Sequence, residues 1–205
     1  MEMLLNQLSS QTGNSRANYE VAAQCLQDKT LLAGIVEGTV NRDNNIVIDC
    51  AEVLTEIAKA QPVWIAPYGH LLPGLLNNKN NRARWEAMHC FALIAEYIPE
   101  IIEPMLDELM EIIEKDKSVI VRDYAIDTVG NYSKTRETAA EKAYPVLERA
   151  AQVWEGSHAK QALEGLGNVA IILPGRKREV QRIAEENLEH KKGVVRKIAK
   201  KLAHG

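Results

Sequence analysis

The chain has 205 residues, 46% hydrophobic and 26% charged, which is apolar enough to bury a core and excludes intrinsic disorder. Its net charge of −3 hides an asymmetry: residues 174–205 hold ten Lys or Arg and four Glu, or +6, leaving −9 on residues 1–173. No chain so divided is basic along its whole length, and three cysteines (Cys25, Cys50, Cys90) without a CxxC pair speak against a disulfide framework.

In chain order, "MEMLLNQLSS" lacks the basic start, apolar segment and cleavage pattern of a signal peptide, and no apolar run is long enough to span a bilayer. A soluble, cytoplasmic protein without membrane contact is expected. Abundant Ala, Leu, Ile, Glu and Lys with few aromatics (5%) predict helices throughout and no strand. Residues 1–28 are expected to be an N-terminal cap or degenerate repeat, in which "RANYEVAAQCL" has the pattern of an inner helix. Beyond it the pattern predicts outer helices near 29–41, 63–77, 100–114, 136–153 and 176–190. Inner helices are predicted near 45–59, 81–97, 118–133, 157–172 and 192–204, with polar turns such as "NRDNN", "NNKNN" and "KDKS" between them.

These helices repeat. Aligning "SVIVRDYAIDTVGNY" with "NNIVIDCAEVLTEIAK", "NRARWEAMHCFALIAEY", "SHAKQALEGLGNVA" and "KGVVRKIAKKLAH" puts Ile48, Arg84, Arg122, Lys160 and Arg196 in register, at successive offsets of 36, 38, 38 and 36 residues. The intervening segments repeat too: "IAKAQPVWIAP" aligns without gaps with "IAEYIPEIIEP", 37 residues later. Pro62 and Pro99 suit a first helical turn, whereas Pro67 and Pro104 bend the outer helix or delay its start. A helical pair of this size cannot bury its apolar face alone, so the units must stack.

The second helix of each pair resembles that of a HEAT repeat, an armadillo-like α-solenoid family. The likeness rests on Asp116, Val121, Arg122 and Ala125 and on Val195, Arg196 and Ala199. It is partial at Ala83, Arg84 and Ala87, and weaker at Asp43, Val47, Ile48 and Ala51, where the arginine is replaced. The resemblance implies an all-α, right-handed α-solenoid of about five HEAT-like helical hairpins in a single domain over 1–205. Repeats one to four would occupy 29–173 and a basic C-terminal repeat 174–205. It also implies a concave inner-helix surface that binds proteins and sometimes nucleic acid. In such repeats the recurring cation ties turn carbonyls or an acidic residue, a structural role that would fall to Arg84, Arg122, Lys160 and Arg196.

If Ala125 faces the core, two columns face the groove: Asp49, Trp85, Asp123, Gln161 and Lys197, then Val53, His89, Asp127, Gly165 and Lys201. The groove would run from acidic, through an aromatic patch where Trp85 and His89 meet Asp123 and Asp127, to basic. The partner-binding residues expected are Asp49, Trp85, His89, Asp123, Asp127, Gln161, Lys197 and Lys201. One histidine among carboxylates is a poor ligand set, so no metal and no cofactor are expected. No "GxxxxGK", "GxGxxG", "HExxH" or "GxSxG" is present, and the glycines of "EGLGN" suit close helix packing. The expected function is a non-catalytic scaffold for a protein or peptide partner. The alternative is nucleic-acid binding through the basic C-terminal segment. Trp85, Tyr124, Asp123, Asp127 and Arg122 are similar in type and position to the groove residues of HEAT-like alkylpurine DNA glycosylases, although no family motif aligns.

Overall fold

The computed structural model describes residues 2–205, with side chains from residue 3 onward; Met1, the first residue of the predicted cap, lies outside the described residues. Among the described residues every regular element is helical. The chain forms two compact units, Met1–Tyr97 and Ile98–Gly205.

The first unit begins with α1 (Glu2–Leu5), α2 (Ser9–Thr12) and α3 (Ala17–Gln27), followed by α4 (Leu32–Gly38) and α5 (Asn44–Ala60). In α5 the buried series Val47, Ala51, Leu54 and Ala58 has the three-four spacing of a core-facing stripe. The burial spreads to Asp49, Glu52 and Thr55 because α5 packs against both α3 and α8 (Asn81–Ile94). The outer layer between them is broken into α6 (Pro62–Ile65), a 3₁₀ stretch over Ala66–Leu71, and α7 (Leu72–Leu76). Pro67 and Pro73 lie at the starts of the second and third pieces. A proline there lacks an N–H and cannot continue the α-helical ladder.

The second unit repeats this device. Its α9 (Pro99–Ile102) passes through a 3₁₀ turn over Glu103–Met105, which contains Pro104, into α10 (Leu106–Lys115). There follow α11 (Val119–Tyr132), α12 (Glu137–Gly156), α13 (Ala159–Ile172), α14 (Lys177–Glu185) and α15 (Gly193–His204). Successive inner helices pack in order, α11 on α13 and α13 on α15. Gly130 of α11 and Gly165 of α13 let two backbones touch: a Cβ on Gly130 would lie 3.0 Å from the Gly165 Cα. The glycines of "EGLGN" therefore serve helix packing.

Turn chemistry recurs at the repeat period. Asn41 accepts from the Asp43 amide (2.8 Å), Asn78 from Asn80 (2.9 Å) and Asp116 from Ser118 (2.8 Å). In each case the residue two further on caps the next helix: Asp43 accepts from Asn45, Asn80 from Arg82 and Ser118 from Val121. At the corresponding place before α15 an imidazole substitutes, with His190 Nδ1 accepting from the Lys192 amide at 3.1 Å. The turn before α13 has Trp154 at this position. There the backbone enters the left-handed region at Trp154 (φ 54°), Glu155 (φ 54°) and Gly156 (φ 71°). Two non-glycine residues in succession there carry conformational cost, so neighbouring contacts must hold them.

Candidate interaction surfaces

In the first unit a polar tie runs across the inner helices. Asn18 of α3, fully buried, donates to Asp49 (2.9 Å) and Glu52 (2.5 Å) of α5, and its own Oδ1 accepts from the Ser9 amide (2.8 Å). Asp49 also accepts from the Ser10 amide at 2.7 Å, and Arg82 of α8 forms an ion pair with Glu52 at 2.5 Å. Buried carboxylates are tolerable only when so supplied with donors. Asp49, 3% exposed, thus belongs to this internal tie and not to an accessible face.

Trp85 and His89 lie one turn apart on α8 and both are half-buried. The Trp85 indole donates to Glu86 at 3.0 Å, and Thr55 of α5 donates to the Glu86 carbonyl at 3.0 Å. Burial pushes the Glu86 carboxyl above its ordinary range, against the lowering effect of its hydrogen bonds. Burial, with the nearby Lys59 charge, lowers His89 to about 4, so its imidazole is neutral at physiological pH. Lys59 itself pairs with Glu56 at 2.5 Å. The α5–α8 face therefore offers a flat indole, a neutral imidazole and carboxylates close to the surface.

In the second unit the two expected aspartates have distinct surroundings. Asp123 accepts from His158 Nδ1 at 2.6 Å, and His158, fully buried, uses Nε2 to accept from Arg122 Nε at 2.9 Å. This pattern fixes the tautomer: the proton on Nδ1 points at the carboxylate. Arg122 then donates through Nη1 to the Asp116 carbonyl, and its guanidinium lies 4.0 Å from the centroid of the Trp154 ring. Trp154 in turn donates through Nε1 to the Ile113 carbonyl at 3.0 Å. The left-handed turn is thus pinned at its tryptophan by a stacked cation and a backbone acceptor. The imidazole that meets Asp123 is His158, placed two residues before Lys160 as Arg82 stands two before Arg84. That shared register is the signal that could have identified both residues from sequence.

Asp127 is half-buried, and burial raises its carboxyl to about 6; Lys160 lowers it, while Glu164 and Asp123 raise it further. Gln161 is half-buried on α13, whereas Lys197 and Lys201 are exposed on α15. Of the recurring cations, Arg196 donates to the His190 carbonyl at 2.7 Å, the same six-residue reach that Arg122 makes to Asp116. Arg84 donates to Asn81 Oδ1 at 3.1 Å, and Lys160 forms an ion pair with Glu164 at 3.2 Å. Arg122 and Arg196 therefore each bind a carbonyl of the turn that precedes their helix. The lysine next to the left-handed turn pairs along its own helix.

No protein-family model matches the chain, and no curated protein matches it by sequence. Similar solved structures exist. A designed armadillo repeat protein in complex with the peptide (KR)4 has a TM-score of 0.74 and 18% identity, covering 98% of this chain and 97% of the other. The archaeal HEAT-like repeats protein of Thermococcus onnurineus NA1 gives 0.60 at 14% identity, over 98% and 93%. The complex of CpcE and CpcF of phycocyanin lyase from Nostoc sp. PCC7120 gives 0.59 at 20% identity, over 86% and 99%. The fold is accordingly the all-α repeat fold of the armadillo and HEAT type, as the period of the sequence predicts. No helix among the described residues is long and apolar enough to cross a membrane.

Proposed function

We propose that the chain is a non-catalytic protein-interaction module that takes an extended peptide on its inner-helix faces, with Trp85 as an anchor. The observation that carries this reading is the end-to-end similarity to an armadillo repeat protein that holds a peptide, (KR)4. The chemistry of the first unit supports it. Four carboxylates of α5 and α8 (Asp49, Glu52, Glu56, Glu86) stand against three cations (Lys59, Arg82, Arg84), and Lys59 and Arg82 are already paired with Glu56 and Glu52. His89 adds no charge at neutral pH. A half-buried indole beside a partly desolvated carboxylate is a suitable seat for a peptide cation, which gains from both the ring face and the charge.

The test is a calorimetric titration of (KR)4 into the protein at low salt. Trp85→Ala and Glu86→Gln should each weaken binding by about fivefold or more, the loss of roughly 1 kcal/mol of contact. Absence of binding by the unsubstituted protein, or affinity of both variants equal to that of the parent, refutes the reading for this face.

A further inference from the structure

The surface of α15 differs from the rest of its unit in how its charges are matched. Elsewhere in the unit, five cations find carboxylates about one repeat away. Arg136 and Lys142 meet Glu103, Arg149 meets Glu114, Arg176 meets Glu141 and Arg182 meets Glu148. Helix α15 buries Val195 and Ala199 against its neighbours and turns Lys197, Lys200, Lys201 and His204 to solvent. The helix contains no Asp or Glu, and among the described residues no carboxylate forms an ion pair with these lysines. Lys177 adds a further cation at the same end, its Nζ donating to the Gly205 carbonyl at 2.7 Å.

From this arrangement we infer that the exposed face of α15 is a docking surface for the phosphate backbone of a nucleic acid. Lys197, Lys200, Lys201 and His204 follow the three-four spacing of one helical face, a row about 10 Å long at 1.5 Å per residue. At about 3.4 Å of rise per phosphate on one strand, that row spans about three phosphates. The side chains favour this occupant over an acidic protein. Lysine is depleted in protein interfaces, which prefer aromatic residues, methionine and arginine, and Val194 is the one large apolar side chain on the helix that is exposed. A lysine ammonium is a compact, hydrated point charge, suited to diffuse backbone contact and poor at bidentate recognition of carboxylates. The −9 carried by residues 1–173 confines the contact to this face and keeps it weak.

This contact is independent of the peptide reading, since its lysines lie on α15 and the indole on α8. Anisotropy of a short labelled duplex, and of a single strand of the same length, measures it directly. Affinity should fall with salt with a log–log slope of about −3, from some three neutralised phosphates. The variant Lys197→Gln/Lys200→Gln/Lys201→Gln should lose at least about tenfold in low-salt affinity and most of the slope. A control with the same charge change elsewhere, Lys79→Gln/Lys115→Gln/Lys117→Gln, should retain both, and circular dichroism checks that each variant is folded. The inference is overturned if no binding occurs at low salt, if the α15 variant binds like the parent, or if the control loses as much. It is equally overturned if polyglutamate binds this face where nucleic acid does not, which would assign an acidic protein partner.

Discussion

Replacing Arg122 with methionine should destabilise the second unit by about 3 kcal/mol. The substitution keeps much of the apolar stem and removes three interactions: Nε to His158 at 2.9 Å, Nη1 to the Asp116 carbonyl, and the stack on Trp154 at 4.0 Å. A hydrogen bond to a charged group contributes roughly 1.5–3 kcal/mol and a cation–π contact roughly 0.5–2 kcal/mol. Their upper sum is not reached, because Asp116 and Trp154 can regain water: Asp116 is half-buried and Trp154 is 43% exposed. The acceptor on fully buried His158 has no such recourse. Urea unfolding followed by far-ultraviolet circular dichroism measures the loss. Hydrogen exchange over residues 153–158 shows whether the left-handed turn loosens first. Arg122→Lys keeps the charge without the fork and should recover only about 1 kcal/mol. A methionine variant within about 0.5 kcal/mol of the parent, with unchanged exchange in that turn, would refute the idea that Arg122 holds it.

Gly165→Ala separates helix propensity from packing. Propensity alone favours alanine by about 1 kcal/mol. The added Cβ, however, would lie 2.8 Å from Leu147 Cδ2 and 3.1 Å from the Gly130 Cα, and the second of these is backbone. A net loss of about 1–2 kcal/mol in a melting experiment is expected, and a gain would contradict the close contact. Asp127→Asn should act in a pH-dependent way. The folded carboxyl titrates at about 6 against an ordinary 3.8, so the native state binds more protons between those values and loses stability as pH rises through them. The amide should therefore stabilise the protein by roughly 1 kcal/mol at pH 8, where the buried charge is present, and by little at pH 4. A benefit that is equal at both pH values would mean that the charge is not the cause.

The period of the repeats and the inner helices are readable from the sequence, because burial imposes a three-four pattern on each unit and the same turn chemistry recurs. The inner helix expected at 45–59 spans Asn44–Ala60, and that at 118–133 spans Val119–Tyr132. The prolines also carry information: Pro67 and Pro104 each sit where an outer helix tightens into a 3₁₀ turn. What the pattern does not reveal is which polar residues on the inner helices meet one another. Asp49 occupies a groove column by register, yet Asn18 and the Ser10 amide, 31 and 39 residues away in sequence, approach and enclose it. Asp123 is tied through one carboxylate oxygen to His158, because the imidazole reaches back from the start of the next inner helix. The left-handed turn at Trp154 is hidden for another reason. Tryptophan has no preference for that conformation, which is held by Arg122 and the Ile113 carbonyl.

The most direct test of the peptide-binding reading uses the three tryptophans as reporters in one experiment. Their indole N–H signals in a proton–nitrogen correlation spectrum report on Trp64 in the outer layer, Trp85 on α8 and Trp154 in the turn before α13. Titration with (KR)4 at low salt should shift the Trp85 signal and leave that of Trp64 in place. If no indole signal moves, or if that of Trp64 moves as far as that of Trp85, the inner-helix face of α8 is not where the peptide is taken.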